Sequence, residues 1–83
     1  MTPEEIIAER EKTHGPYSEK ARIIQELKEI MHGSAGWHAL SDVQKESLDM
    51  IVHKIGRVLS GDPNHADHWD DIAGYAKLVS REL

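Results

Sequence analysis

Eighty-three residues, 39% hydrophobic and 30% charged, make one small domain, and the absence of cysteine removes disulfides and thiolate zinc sites as sources of stability. A formal net charge of −5 argues against nonspecific nucleic-acid binding, which depends on counterion release by a basic face. No apolar run approaches the roughly 20 residues of a membrane span. The Met-Thr-Pro-Glu-Glu start lacks the basic and apolar regions of a signal peptide, so a cytoplasmic chain is expected.

The helix punctuation is nearly complete. Thr2, Pro3 and Glu5 read as a capping box with proline at the first helical position, and His14-Gly15-Pro16 reads as a stop, predicting a helix over 3–14. Ser18 reads as the cap of a second helix over 19–32, whose Ala21, Ile23, Ile24, Leu27, Ile30 and Met31 recur at helical spacing before Gly33. Residues 33–40 form a loop. Ser41 and Gln44 make another capping box, opening a helix over 42–59 that Gly61 closes. Asn64 or Asp62 caps the last helix, over 65–82. With no strand pattern and no repeat, the fold class is all-α, a single four-helix bundle-like domain.

At 100° per residue the third helix divides into two faces. Leu48, Ile51, Val52, Ile55, Val58 and Leu59 form one to be buried, and Glu46, Asp49, His53, Lys54 and Arg57 form the other. The fourth helix is expected to bury Trp69, Ile72, Ala73, Ala76, Val79 and Leu83. Asp67, Asp71, Tyr75 and Leu78 lie on a second stripe, suited to a ligand or another subunit. Without Phe and with only two Trp and two Tyr, the core is mostly aliphatic. A core this small rarely supplies more than about 3–5 kcal/mol, so completion by homo-oligomerisation is expected.

Chemistry concentrates in two places. Lys54 and Arg57, at i,i+3, suit a phosphate, the arginine bidentately and the lysine as a point charge, and equally suit the negative end of the helix dipole. Asp67 and Asp71, at i,i+4, either complement the positive end of theirs or join Glu46 and Asp49 in an oxygen site for Mg²⁺. On the first turn, Arg10 and His14 could reach phosphate and Tyr17 could stack on a base; the same residues also read as a helix stop with an aromatic packed beneath it. The six histidines match no zinc pattern, and no nucleophile elbow or glycine-rich phosphate loop is present.

Lys54-x-x-Arg57 followed by Asp67-x-x-x-Asp71-Ile-Ala-Gly-Tyr75 resembles small bacteriophage- and prophage-encoded proteins that look like short relatives of the MazG-like nucleoside triphosphate pyrophosphohydrolases. The likeness covers roughly residues 41–80, with the His-Gly-x-Tyr turn at 14–17 as a weaker second point. It implies an all-α protein that uses Mg²⁺, held by acidic pairs on two helices, to hydrolyse between the α- and β-phosphates. Glu26-x-x-Glu29 and Glu46-x-x-Asp49 fit the superfamily's acidic pattern literally, whereas the matching string points to Glu46, Asp49, Asp67 and Asp71, the preferred set. The resemblance implies Lys54 and Arg57 on the phosphates, with His14, Tyr17, Arg10 and Tyr75 about the nucleotide, in a site at an oligomer interface. The alternatives are a protein that sequesters a nucleotide or cyclic nucleotide without turnover, as in anti-defence, and a helical protein-interaction module.

Overall fold

Thr2 Oγ1 accepts a hydrogen bond from the Glu5 amide at 3.1 Å, and Pro3 follows it as the first helical residue. From this cap the computed structural model, which describes residues 1–83, runs through four helices: α1 (Pro3–His14), α2 (Tyr17–His32), α3 (Asp42–Ser60) and α4 (Ala66–Ser80). A 3-10 helix at Ala35–Ala39 lies in the loop before α3, and Trp37 there stacks on His32 with ring centres 4.3 Å apart. The capping box of α3 forms in full: Ser41 Oγ accepts from the Gln44 amide at 3.1 Å, and Gln44 Oε1 accepts from the Ser41 amide at 2.9 Å. The all-α expectation holds. No helix is long and apolar enough to cross a membrane.

Three boundaries differ from those expected, each for a local reason. α2 begins at Tyr17, with Pro16 at its cap; the ring fixes φ at −58° and the Pro16 carbonyl accepts from the Lys20 amide at 3.1 Å, so Ser18 lies inside the first turn. Neither Asn64 nor Asp62 caps α4. Asp62 Oδ1 accepts from the Asn64 amide at 2.9 Å, closing a turn ahead of the helix, and His65 occupies the cap position. α4 stops at Ser80, where the Glu82 and Leu83 amides turn to carbonyls three residues back, a tightening common at helix ends.

α3 is the hub, packing against α2, α4 and α1. Along α2 it runs antiparallel: His32 Nε2 meets Asp49 Oδ1 at 2.8 Å, Lys28 Nζ lies 3.5 Å from His53 Nε2, and Gly56 faces Ile24. A β-carbon at Gly56 would stand 2.7 Å from Ile24 Cγ1, so the missing side chain sets how closely these helices approach. Ile24 and Val52 are the buried aliphatic pair at this contact.

α4 is turned relative to the orientation expected from its apolar stripe. His68 is its buried residue, 1% exposed, and Trp69 is 53% exposed. The less exposed positions are 65, 68, 72, 75 and 79, a 3–4 spacing that shares only Ile72 and Val79 with the expected set; Ala73, Ala76 and Leu83 lie outside. Two hydrogen bonds account for the rotation. His68 Nε2 lies 2.9 Å from the Thr13 carbonyl, drawing the imidazole inward, and the Trp69 indole N–H donates to the Pro63 carbonyl at 2.8 Å, laying that ring over the turn. On α3, Val52 is buried and Ile51, Ile55 and Val58 are half-buried, whereas Leu48 and Leu59 are exposed.

The α1–α2 turn is fastened to the α3–α4 turn. The Thr13 carbonyl takes a second bond from the Asp62 amide at 3.0 Å. Ser60 Oγ lies 2.7 Å from the Gly56 carbonyl and 3.1 Å from the His14 carbonyl, so its one proton is shared between them. Gly15 sits at φ 78°, ψ 173°, a region essentially restricted to glycine, and a β-carbon there would collide with the Ser60 carbonyl. A Gly15→Ala variant is therefore expected to lose about 3 kcal/mol or more of stability, combining the roughly 1–3 kcal/mol of backbone strain with the collision, as read by denaturant unfolding.

Candidate functional site

The fastened turns leave a cavity of about 750 Å³ between α1, the start of α2 and the end of α3. α1 contributes Ile7, Arg10, Glu11 and His14, the turn contributes Gly15, α2 contributes Tyr17 and Lys20, and α3 contributes Arg57. The structure thus brings together four residues singled out from the sequence: Arg10, His14, Tyr17 and Arg57. Lys20 was missed because it reads as one more charge on an ordinary helix; its i,i+3 spacing from Tyr17 was the available signal. Its ammonium lies 5.3 Å from the centre of the Tyr17 ring, a cation–π distance.

None of Arg10, Lys20 and Arg57 forms an ion pair, although the chain carries fifteen acidic residues to ten basic ones. The cost of assembling them appears in the titrating groups. Burial lowers the His14 imidazole to about 4, with Arg57 and Lys20 as the next causes, so the ring is neutral at pH 7. Burial also pulls the Lys20 ammonium down, helped by Arg57, Lys54 and Arg10. Arg10 and Arg57 add two guanidinium groups to the same wall. An anion in this cavity would relieve that mutual repulsion.

Lys54 and Arg57 do not act as a pair. Arg57 faces the cavity, while Lys54 is buried against α4 with Nζ 3.0 Å from Asp71 Oδ2. The Lys54 hydrogen bond and charge hold the Asp71 carboxyl below the usual aspartate range. Tyr75 is half-buried on α4 and does not line the cavity.

The four carboxylates proposed for Mg²⁺ have other surroundings. Asp71 is tied to Lys54, and Asp49 lies beside His32. Asp67 is exposed, 3.7 Å from His65, and Glu46 is exposed near the start of α3. In the literal alternative, Glu26 is paired with Arg22 at 3.2 Å and Glu29 is exposed. Within one chain no three His, Asp or Glu side chains form a group that could hold a metal ion. Neither carboxylate set fits a resident Mg²⁺ in this arrangement.

The chain belongs to the family described as a domain of unknown function, DUF6378, whose model matches residues 2–82. No curated protein and no solved structure matches it.

Two outcomes follow from these surroundings. His14 titrates at its ordinary 6.5 when unfolded and at about 4 when folded, so the unfolded chain binds more protons between those values. Its contribution to stability is complete above pH 6.5 and is lost as pH falls towards 4. Denaturant unfolding at pH 7 and pH 4.5 is expected to show a smaller loss on acidification for His14→Gln than for the parent. Asp71→Asn leaves the buried Lys54 ammonium without its counter-charge and is expected to lower Tm in thermal unfolding.

Proposed function

We propose that this protein binds a nucleotide or a nucleotide-derived phosphorylated molecule in the cavity at the α1–α2 turn, sequestering it without turnover. The observation that carries this reading is three cations, none in an ion pair, around one cavity lined by a single carboxylate, Glu11, in a chain of net charge −5. Arg10 and Arg57 offer planar, bidentate donors to phosphate oxygens and Lys20 a point charge. Neutral His14 supplies one further donor or acceptor. Tyr17, 70% exposed, presents a ring on which a base can stack, an interaction worth about 1–3 kcal/mol per base in other proteins. The volume falls in the range of about 300–1,000 Å³ usual for small-molecule sites. Phosphate here would offset the repulsion that adds to burial in depressing His14 and Lys20.

The resemblance to MazG-like pyrophosphohydrolases supports the ligand class. The side-chain partners favour binding over hydrolysis, since Asp71 and Asp49 are engaged by Lys54 and His32 and no Mg²⁺ group assembles in the chain. The expected setting is the cytoplasm, where such ligands are abundant.

Titration calorimetry with ribo- and deoxyribonucleoside triphosphates and with cyclic dinucleotides, each with and without Mg²⁺, tests the reading. Binding that is independent of metal and yields no product is expected. Arg57→Ala should weaken it at least about tenfold, since a charge-assisted hydrogen bond is worth about 1.5–3 kcal/mol, with little change in Tm. Mg²⁺-dependent release of pyrophosphate would replace this reading with the hydrolase one. An absence of binding to every phosphorylated probe would remove both and leave an interaction module.

A further inference from the structure

We infer that the protein is a homodimer whose subunits meet through the apolar flank of α3 and α4, on the side of α3 away from the cavity. This inference is independent of the ligand proposed above. Leu48, Ile51, Ile55 and Leu59 lie along one flank of α3 at helical spacing, and Arg57 lies on the opposite side of the same helix. Leu48 and Ile51 join Ala76 and Val79 of α4 around an open depression of about 320 Å³. α1 packs near the Arg57 side, while Leu40 and Gln44 edge the depression without closing it, leaving Leu48 and Leu59 exposed.

The amount of uncovered surface indicates what is missing. A monomer of 9.4 kDa exposes about 5,000 Å², whereas this chain exposes 5708 Å². The surplus of about 700 Å² is a whole-chain figure, comparable with the roughly 800 Å² that each partner contributes to a standard interface, and the exposed Leu48 and Leu59 of this flank are part of it. The shape agrees: the radius of gyration is 14.3 Å, against about 12 Å for a compact domain of this length. Only Ile24 and Val52 form a fully buried aliphatic core, so one chain alone has little apolar burial to hold it together.

The composition of the flank suits a second copy as the occupant, which would complete the two-residue aliphatic core of so small a chain. Two chains of net charge −5 repel, and contact between copies requires a face free of that charge. The stripes 48, 51, 55, 59 on α3 and 72, 76, 79 on α4 carry no charged residue. A two-fold axis through this flank sets like on like, as an isologous interface does. It also leaves both ligand cavities facing outward, so the interface lies on the apolar side of α3 rather than on the polar stripe singled out from the sequence.

Sedimentation equilibrium of the full chain from about 1 to 100 µM tests the inference. A mass near twice 9.4 kDa is expected for the parent. Leu59→Lys should raise the dimer dissociation constant at least tenfold, whereas Leu78→Lys, on the other flank of α4, should leave it unchanged. Both positions are exposed in the single chain, at 63% and 39%, so each variant can keep its helices, which circular dichroism checks. A parent that stays at 9.4 kDa throughout would overturn the inference. So would dissociation by Leu78→Lys with none by Leu59→Lys.

Discussion

The Thr13 carbonyl is the point on which the arrangement depends. It accepts from the Asp62 amide at 3.0 Å and from His68 Nε2 at 2.9 Å, engaging the two acceptor directions a carbonyl oxygen offers. The second contact requires His68 to carry its proton on Nε2, a tautomer set by the acceptor it faces. α1 has no buried residue of its own, so this fastening, with the Ser60–His14 bond beside it, is what holds it over α3. Without it there would be no wall to the cavity. The close approach in turn requires glycine at 15 and 61, where a β-carbon would strike the facing backbone. Fold and candidate site therefore share one set of hydrogen bonds to the carbonyls of Thr13 and His14.

α3 divides its surroundings by the direction each residue faces. Lys54 turns inward to Asp71, Arg57 outward to the cavity, Gly56 towards α2, and the Leu48–Leu59 flank to open surface. Three positions along α3 take the chain from a buried lysine paired with the exposed Asp71 to a free guanidinium. The consequences differ: the Lys54–Asp71 pair connects α3 to α4, whereas Arg57 adds positive charge to a place already crowded with it. Burial is the first cause of the lowered His14 and Lys20, and that crowding adds to it.

Much of this was legible from the residues. The caps at Thr2 and Ser41, the stop at Gly15 and the helical periodicities of α2 and α3 are local signals, and they led to the all-α architecture with four helices. Arg10, His14, Tyr17 and Arg57 were also readable as candidate site residues, and the structure places all four around one cavity; the first three sit at a turn dense in polar and aromatic groups, which faces outward by default. The rotation of α4 was not readable. A period of 3.6 places Trp69 in the apolar stripe, and only the tertiary bond from His68 to Thr13 reverses that choice. For the same reason Lys54 and Arg57 looked equivalent, since nothing local says that Asp71 lies opposite one of them. Lys20 was missed because its role depends on α1 folding back over it.

The central claim is that the cavity lined by Arg10, His14, Lys20 and Arg57 receives a phosphorylated anion. The direct measurement is a nuclear magnetic resonance titration of the His14 ring, free and with inorganic pyrophosphate as the probe. Free, His14 is expected to titrate at about 4, and with pyrophosphate bound it should titrate higher, because the anion offsets the Arg57 and Lys20 charges that add to burial in opposing protonation. A titration midpoint unchanged by saturating pyrophosphate would contradict the account.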